Sequence, residues 1–166
     1  MSETGGGFGE LLAYTDGETE RWHAWLREQP AEVLEVPIGE GVRATVRDMI
    51  GHVFMVELRY AQRLLDRPVT AYEEVDMSSV DALWRIHAQA RAALREYLAA
   101  HPAGEREREM TFDTRTLGTL HASAYKVLMH SFIHGIRHWA QIATALRQAG
   151  HPQGWEHDWL MSDGVR

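Results

Sequence analysis

Along this chain, stretches whose apolar residues recur every three or four positions are separated by polar stretches rich in turn formers. The first periodic stretch predicts a helix over 8–29, with Leu11, Leu12, Trp22, Trp25 and Leu26 as core candidates. Gly17 and dense charge weaken its middle, and Pro30 ends it. Residues 31–44 read as an extended link with turn signals at Pro37, Gly39 and Gly41. Thr45 followed by Asp48 resembles a capping box in which Asp replaces the usual Glu. From there Val46, Ile50, Val53, Tyr60, Ala61 and Leu64 share one stripe, which stops before Pro68. A third helix over 79–100 turns Leu83, Ile86, Ala90, Leu94 and Tyr97 inward. The stretch 105–117 is polar and weakly alternating, with a short extended piece at 110–112. A fourth helix over 119–149 has Leu128, Phe132, Trp139, Ile142 and Leu146 on its core face, with Gly150 as a left-handed stop.

Four amphipathic helices without a convincing sheet predict an all-α fold, a four-helix bundle. The long second and third links leave room for crossover connections. A length of 166 residues fits one folded domain over 8–166 behind a glycine-rich tail at 1–7, with 151–166 packing back on the bundle.

Composition changes this picture little: 45% hydrophobic and 25% charged is ordinary for a globular protein. Cysteine is absent, which excludes disulfides, thiolate metal sites and a cysteine nucleophile and fits a cytoplasmic setting. The formal net charge of -7 argues against a nucleic-acid partner. No basic segment precedes an apolar run at the N-terminus, and no apolar run is long enough to cross a bilayer, so neither secretion nor a membrane partner is expected.

The chemistry concentrates in histidines. His130, His134 and His138 recur every fourth residue, roughly 40° apart around a helix axis and one turn apart along it. Two imidazoles so spaced can bind one metal ion from the same helix. On the helical wheel His138 lies nearest the core arc, His134 at its border, and His130 among polar residues, suited to solvent or an outer layer. His52 occupies a similar border position on the second helix, so neighbouring helices would bring His52, His134 and His138 together. Three neutral imidazoles with open positions describe a catalytic rather than a structural metal site. Gly135 would let another backbone or a ligand approach closely. Glu57 falls near the middle of an apolar stripe and is the best candidate for a general base or a supporting partner, with an arginine ion pair as the plainer alternative. Gln141 projects near His134 and His138 and is a second catalytic candidate, able to orient a ligand or a bound water.

The run His134-Gly135-x-x-His138-x-x-Gln141-Ile142, followed by Leu146-Arg147-Gln148-x-Gly150, resembles the signature of the DinB/YfiT-like superfamily. Asp48-Met49-Ile50-Gly51-His52 resembles its first ligand segment, and Asp158-Trp159-Leu160 its tail. The resemblance implies a four-helix bundle of the DinB/YfiT-like type with a divalent metal held by His52, His134 and His138. Trp139 and Ala140 stand where that family often has Arg and Gly, which would make the surroundings bulkier and less polar. His130 has no ligand role by this resemblance.

What the resemblance further implies is a metal-dependent enzyme acting on a small molecule, either a hydrolase or a transferase that uses a low-molecular-weight thiol. A stress-related binding or scaffold protein with a structural or vestigial metal is the alternative. Zinc and nickel both suit imidazole ligands. A homodimer is also implied, and the tail tryptophans Trp155 and Trp159 are compatible with one.

Overall fold

A computed structural model of the chain describes residues 7–114 and 117–162. The expected tail at 1–7 therefore lies outside the described residues, apart from Gly7. Four long helices carry the fold: α1 (Phe8–Glu28), α2 (Val46–Leu64), α3 (Val80–Ala100) and α4 (Ala124–Gln148). Two short strands, β1 (Glu109–Thr114) and β2 (Gly118–Ser123), form an antiparallel hairpin between α3 and α4.

Local signals set the helix ends. The capping box at α2 forms as read: Thr45 Oγ1 accepts from the Asp48 amide at 3.2 Å, and Asp48 Oδ2 accepts from the Thr45 amide at 3.1 Å. Ser79 and Ser123 cap α3 and α4 by accepting from the third amide on. The α4 terminus is a Schellman motif. Gly150 takes φ 88°, and the amides of Gly150 and His151 return to the carbonyls of Arg147 and Leu146.

Two sequence expectations need correction. The fourth helix begins at Ala124 rather than at 119, and the supposedly sheet-free chain has a small sheet. Residues 118–123 alternate with period two and pair with 109–114, placing Phe112 opposite Leu120 and Met110 opposite Ala122. These four side chains face the bundle while Thr111 and His121 face solvent. Tertiary pairing overrides the helix propensity of Leu120 and Ala122. The link after α1 also contains 3-10 turns, Ala31–Glu35 and Gly41–Arg43, within the stretch read as extended.

α2 packs against α3 and α4, and α1 packs against the same two helices, so α1 and α2 stand across the bundle diagonal, as do α3 and α4. The first and third connections are thus the diagonal ones, while the second joins neighbours.

The core divides into two apolar clusters. One gathers Trp22, Ile50, Phe54, Leu83, Ile142 and Leu146; the other gathers Phe8, Leu64, Leu94, Tyr97, Leu128 and Phe132. Between them lies a layer of buried polar side chains, including Thr15, Glu57, Arg91, Ser131 and His134. Among the described residues, no helix is long and apolar enough to cross a membrane.

Candidate metal centre

Neighbouring α2 and α4 bring His52, His134 and His138 together, and one ligand nitrogen from each lies within 4.8 Å of the other two. His134 and His138 are 6% and 3% exposed, while His52 is half-buried at the rim. The fourth-residue spacing sets the two α4 imidazoles edge to face at 4.4 Å between centroids, and the His52 ring approaches them at 4.8 and 5.2 Å.

The hydrogen bonds fix which nitrogens face inward. His138 Nδ1 donates to Gln141 Oε1 at 2.6 Å, which leaves Nε2 with its lone pair. Arg137 Nη2 donates to that Nε2 at 3.3 Å. His52 Nε2 and His134 Nε2 face each other at 3.0 Å. Two imidazole nitrogens on one tetrahedral cation stand about 3.3 Å apart, so the pair needs only a small widening to share one. The donor set fits a divalent metal of imidazole preference.

Electrostatics keeps these rings neutral. Burial, then the neighbouring His138, pushes His52 down to about 4. Burial, then His138 and His52, pushes His134 down to about 2. Burial also lowers His138, although its bond to Gln141 acts the other way. A metal requires imidazole in the neutral form, so the folded chain presents these groups ready for it. The Nδ1 of His134 is buried without a hydrogen-bond partner among the described residues.

His130 stays outside this cluster. It is exposed, its ring stands 5.3 Å from that of His134, and it lines the cavity in front of the site.

Glu57 is 3% exposed and sits in an ion pair. Arg91 Nη2 donates to Glu57 Oε1 at 3.2 Å, and His87 Nδ1 stands 3.5 Å from Oε2. Burial would push this carboxyl up, yet Arg91 and His87 hold it below its ordinary value. Gly135 does permit a close approach, but of a side chain: a Cβ there would lie 3.3 Å from Glu57 Oε1 and 3.7 Å from Val53 Cγ1.

Trp139 stacks on Trp22 at 5.0 Å and also meets Phe54 and Trp84, so it faces the apolar core and does not line the cavity. The expected bulk beside the site is absent from the cavity wall. Sequence reasoning missed Arg91 and Arg137. The signal for Arg91 was its place on the apolar face of α3, one turn after His87.

The tail closes over α1. Trp155 Nε1 and His157 Nδ1 both reach Glu18 Oε2, at 3.3 and 2.8 Å, and Trp155 packs on Trp22. Trp155 is therefore a contact within its own chain.

A model of the DinB family matches residues 1–160 of the chain. No curated protein matches it.

Proposed function

The chain belongs to the DinB family, and from that premise we propose that it is a metal-dependent enzyme acting on a small molecule. The reaction is S-transfer with a low-molecular-weight thiol, or hydrolysis. His52, His134 and His138 hold the metal, zinc or nickel, and leave coordination positions open for the substrate. The observation that carries this reading is the convergence of three neutral imidazoles, two of which, His52 and His134, line a cavity. When bound, such a metal acidifies a coordinated thiol or water.

The chain's own residues do the rest. Gln141 holds the His138 tautomer through Nδ1 and so positions a ligand. Glu57 braces α4 at Gly135 while Arg91 neutralises it. A cytoplasmic setting and a homodimer belong to the same reading, with the exposed Leu160 and Met161 of the tail among the contact residues.

The test is elemental analysis of protein purified without a histidine tag, followed by thiol-transfer assays with bacillithiol, mycothiol and glutathione. About one zinc or nickel per chain is expected, with both metal and turnover lost in His134→Ala. A chain that takes up neither metal, or a His134→Ala variant that binds as well as the parent, would overturn the proposal.

A further inference from the structure

The cavity in front of the histidines has a chemistry that a metal site alone does not explain. It encloses about 500 Å3, with His52 and His134 at its inner end and Arg43, Arg59, Arg63 and Arg137 in its walls. Asp48 is the one carboxylate among its described lining residues. That carboxylate is committed to the α2 cap, where it accepts from the Thr45 amide at 3.1 Å and the Thr45 hydroxyl at 2.9 Å. Four guanidiniums thus face one occupied acid.

The chain as a whole has the opposite balance. Asp and Glu number 24 against 17 Lys and Arg. Several arginines elsewhere do find acids: Arg67 pairs with Glu96, Arg85 with Asp76, Arg95 with Asp16 and Arg108 with Asp66. Among the described residues, none of the four cavity arginines has a carboxylate at ion-pair distance.

Two of the four are held in place by contacts that leave their charge unanswered. Arg59 donates to the Thr70 carbonyl and lies 5.8 Å from the Tyr72 ring centroid. Arg63 donates to the Asp113 carbonyl at 3.0 Å and lies 4.7 Å from the Phe112 centroid and 5.5 Å from that of Tyr60. A guanidinium carries five N–H donors, so one carbonyl contact leaves a fork for a carboxylate. Burial, then the charge of Arg59, lowers Arg63 from its ordinary value, as expected where cations crowd without counterions. Aromatic stacking fixes both groups before any ligand arrives, which reduces the ordering cost of binding.

We infer that this cavity binds a small organic anion carrying one or more carboxylates, gripped by Arg43, Arg59, Arg63 and Arg137 with its reactive end toward His52 and His134. The orientation rests on the metal-enzyme reading above; the anion site rests on the arginines alone. Within that reading, a thiol or electrophile bearing carboxylates is the substrate, in preference to an uncharged one.

The test is calorimetric titration of the metal-free, full-length chain with succinate, with its uncharged isostere dimethyl succinate, and with inorganic phosphate, at low and high salt. Succinate is expected to bind, and to weaken by about tenfold in Arg43→Gln and in Arg137→Gln, as loss of one charge-assisted bond implies. It should also weaken at high salt, and the ester should give no heat. The inference is overturned if succinate does not bind, if the ester binds equally well, or if both variants bind succinate like the parent. Phosphate binding more tightly than succinate would overturn the carboxylate assignment. Both substituted positions are exposed, and the ester and salt comparisons on the unaltered chain stand without any variant. Because the protein is metal-free, failure here leaves metal uptake untouched, and failed metal uptake leaves this result standing.

Discussion

Two buried polar regions lie side by side in this bundle, and they are finished to different degrees. In the ion-pair layer every charge is answered. Arg91 reaches Glu57 at 3.2 Å, Thr15 Oγ1 at 2.9 Å and Asp16 at 3.3 Å, and Arg95 meets Asp16 from outside. These contacts tie α1, α2 and α3 together. Among the described residues, the histidine cluster has no carboxylate among its contacts. Its cationic neighbours include Arg43 and Arg137, and one of its buried nitrogens lacks a partner. The first region supplies its own counter-charges, although Glu57 Oε2, His87 Nδ1 and Arg91 Nε are buried without a hydrogen bond among the described residues. The second gathers imidazole lone pairs that meet one another and Arg137 but no carboxylate among the described residues, and a bound cation would use those lone pairs instead.

The comparison can be broken most forcefully at Arg91. Arg91→Ala leaves Glu57 charged and buried, and a loss of about 3–5 kcal/mol is expected in urea unfolding. Replacing both residues by Leu should cost less than the sum of the single changes. A loss below about 1 kcal/mol in Arg91→Ala would mean that the layer does not hold the helices.

Gln141→Ala probes the other region. Gln141 is exposed, so stability should change by less than about 0.5 kcal/mol. Zinc affinity, read by competition with a chelator, should fall about 10–100-fold. Unchanged affinity would remove Gln141 from the centre.

Acid sharpens the contrast further. His52 titrates at about 4 and His134 at about 2 when folded, against about 6.5 when unfolded. Below pH 6.5 the unfolded chain therefore binds more protons, and the metal-free protein loses stability as pH falls toward 4. Glu57, lowered in the fold, adds a loss of the same sign as pH falls through its own folded value. Urea midpoints measured across this range check the slope, which should be shallower in His134→Ala; a flat profile would contradict it.

The smallest effect is at the seam between the regions. Gly135→Ala should gain about 1 kcal/mol from helix propensity alone. The new Cβ would instead press on a Glu57 oxygen held by Arg91, so the net change should be zero or unfavourable. A full gain of stability would show that Glu57 moves freely.

Much of this was legible in the chain itself. Thr45 and Asp48 announced α2, and Gly150 announced the end of α4, because caps are local hydrogen-bond problems solved by adjacent residues. The histidine spacing was legible for the same reason. The hairpin was not, because strand pairing between 109–114 and 118–123 competes with a helix start and is decided by contacts outside the segment. Glu57 stood out as an unusual carboxylate, but its partner lies 34 residues away on α3. The cavity arginines were harder to see: Arg59 and Arg63 share α2 at helical spacing, where two arginines read as a solvated face, and Arg43 and Arg137 join them from other elements.

The diagonal layout has a kinetic corollary. His52 and His134 are 82 positions apart, and the last two donors sit on the final long helix. Closing so long a loop is entropically costly and comes late in folding. A growing chain with α1, α2 and α3 in place would therefore offer a passing cation a single imidazole of the set. Tight capture waits for α4 to dock, which makes metal loading a signal that assembly has finished.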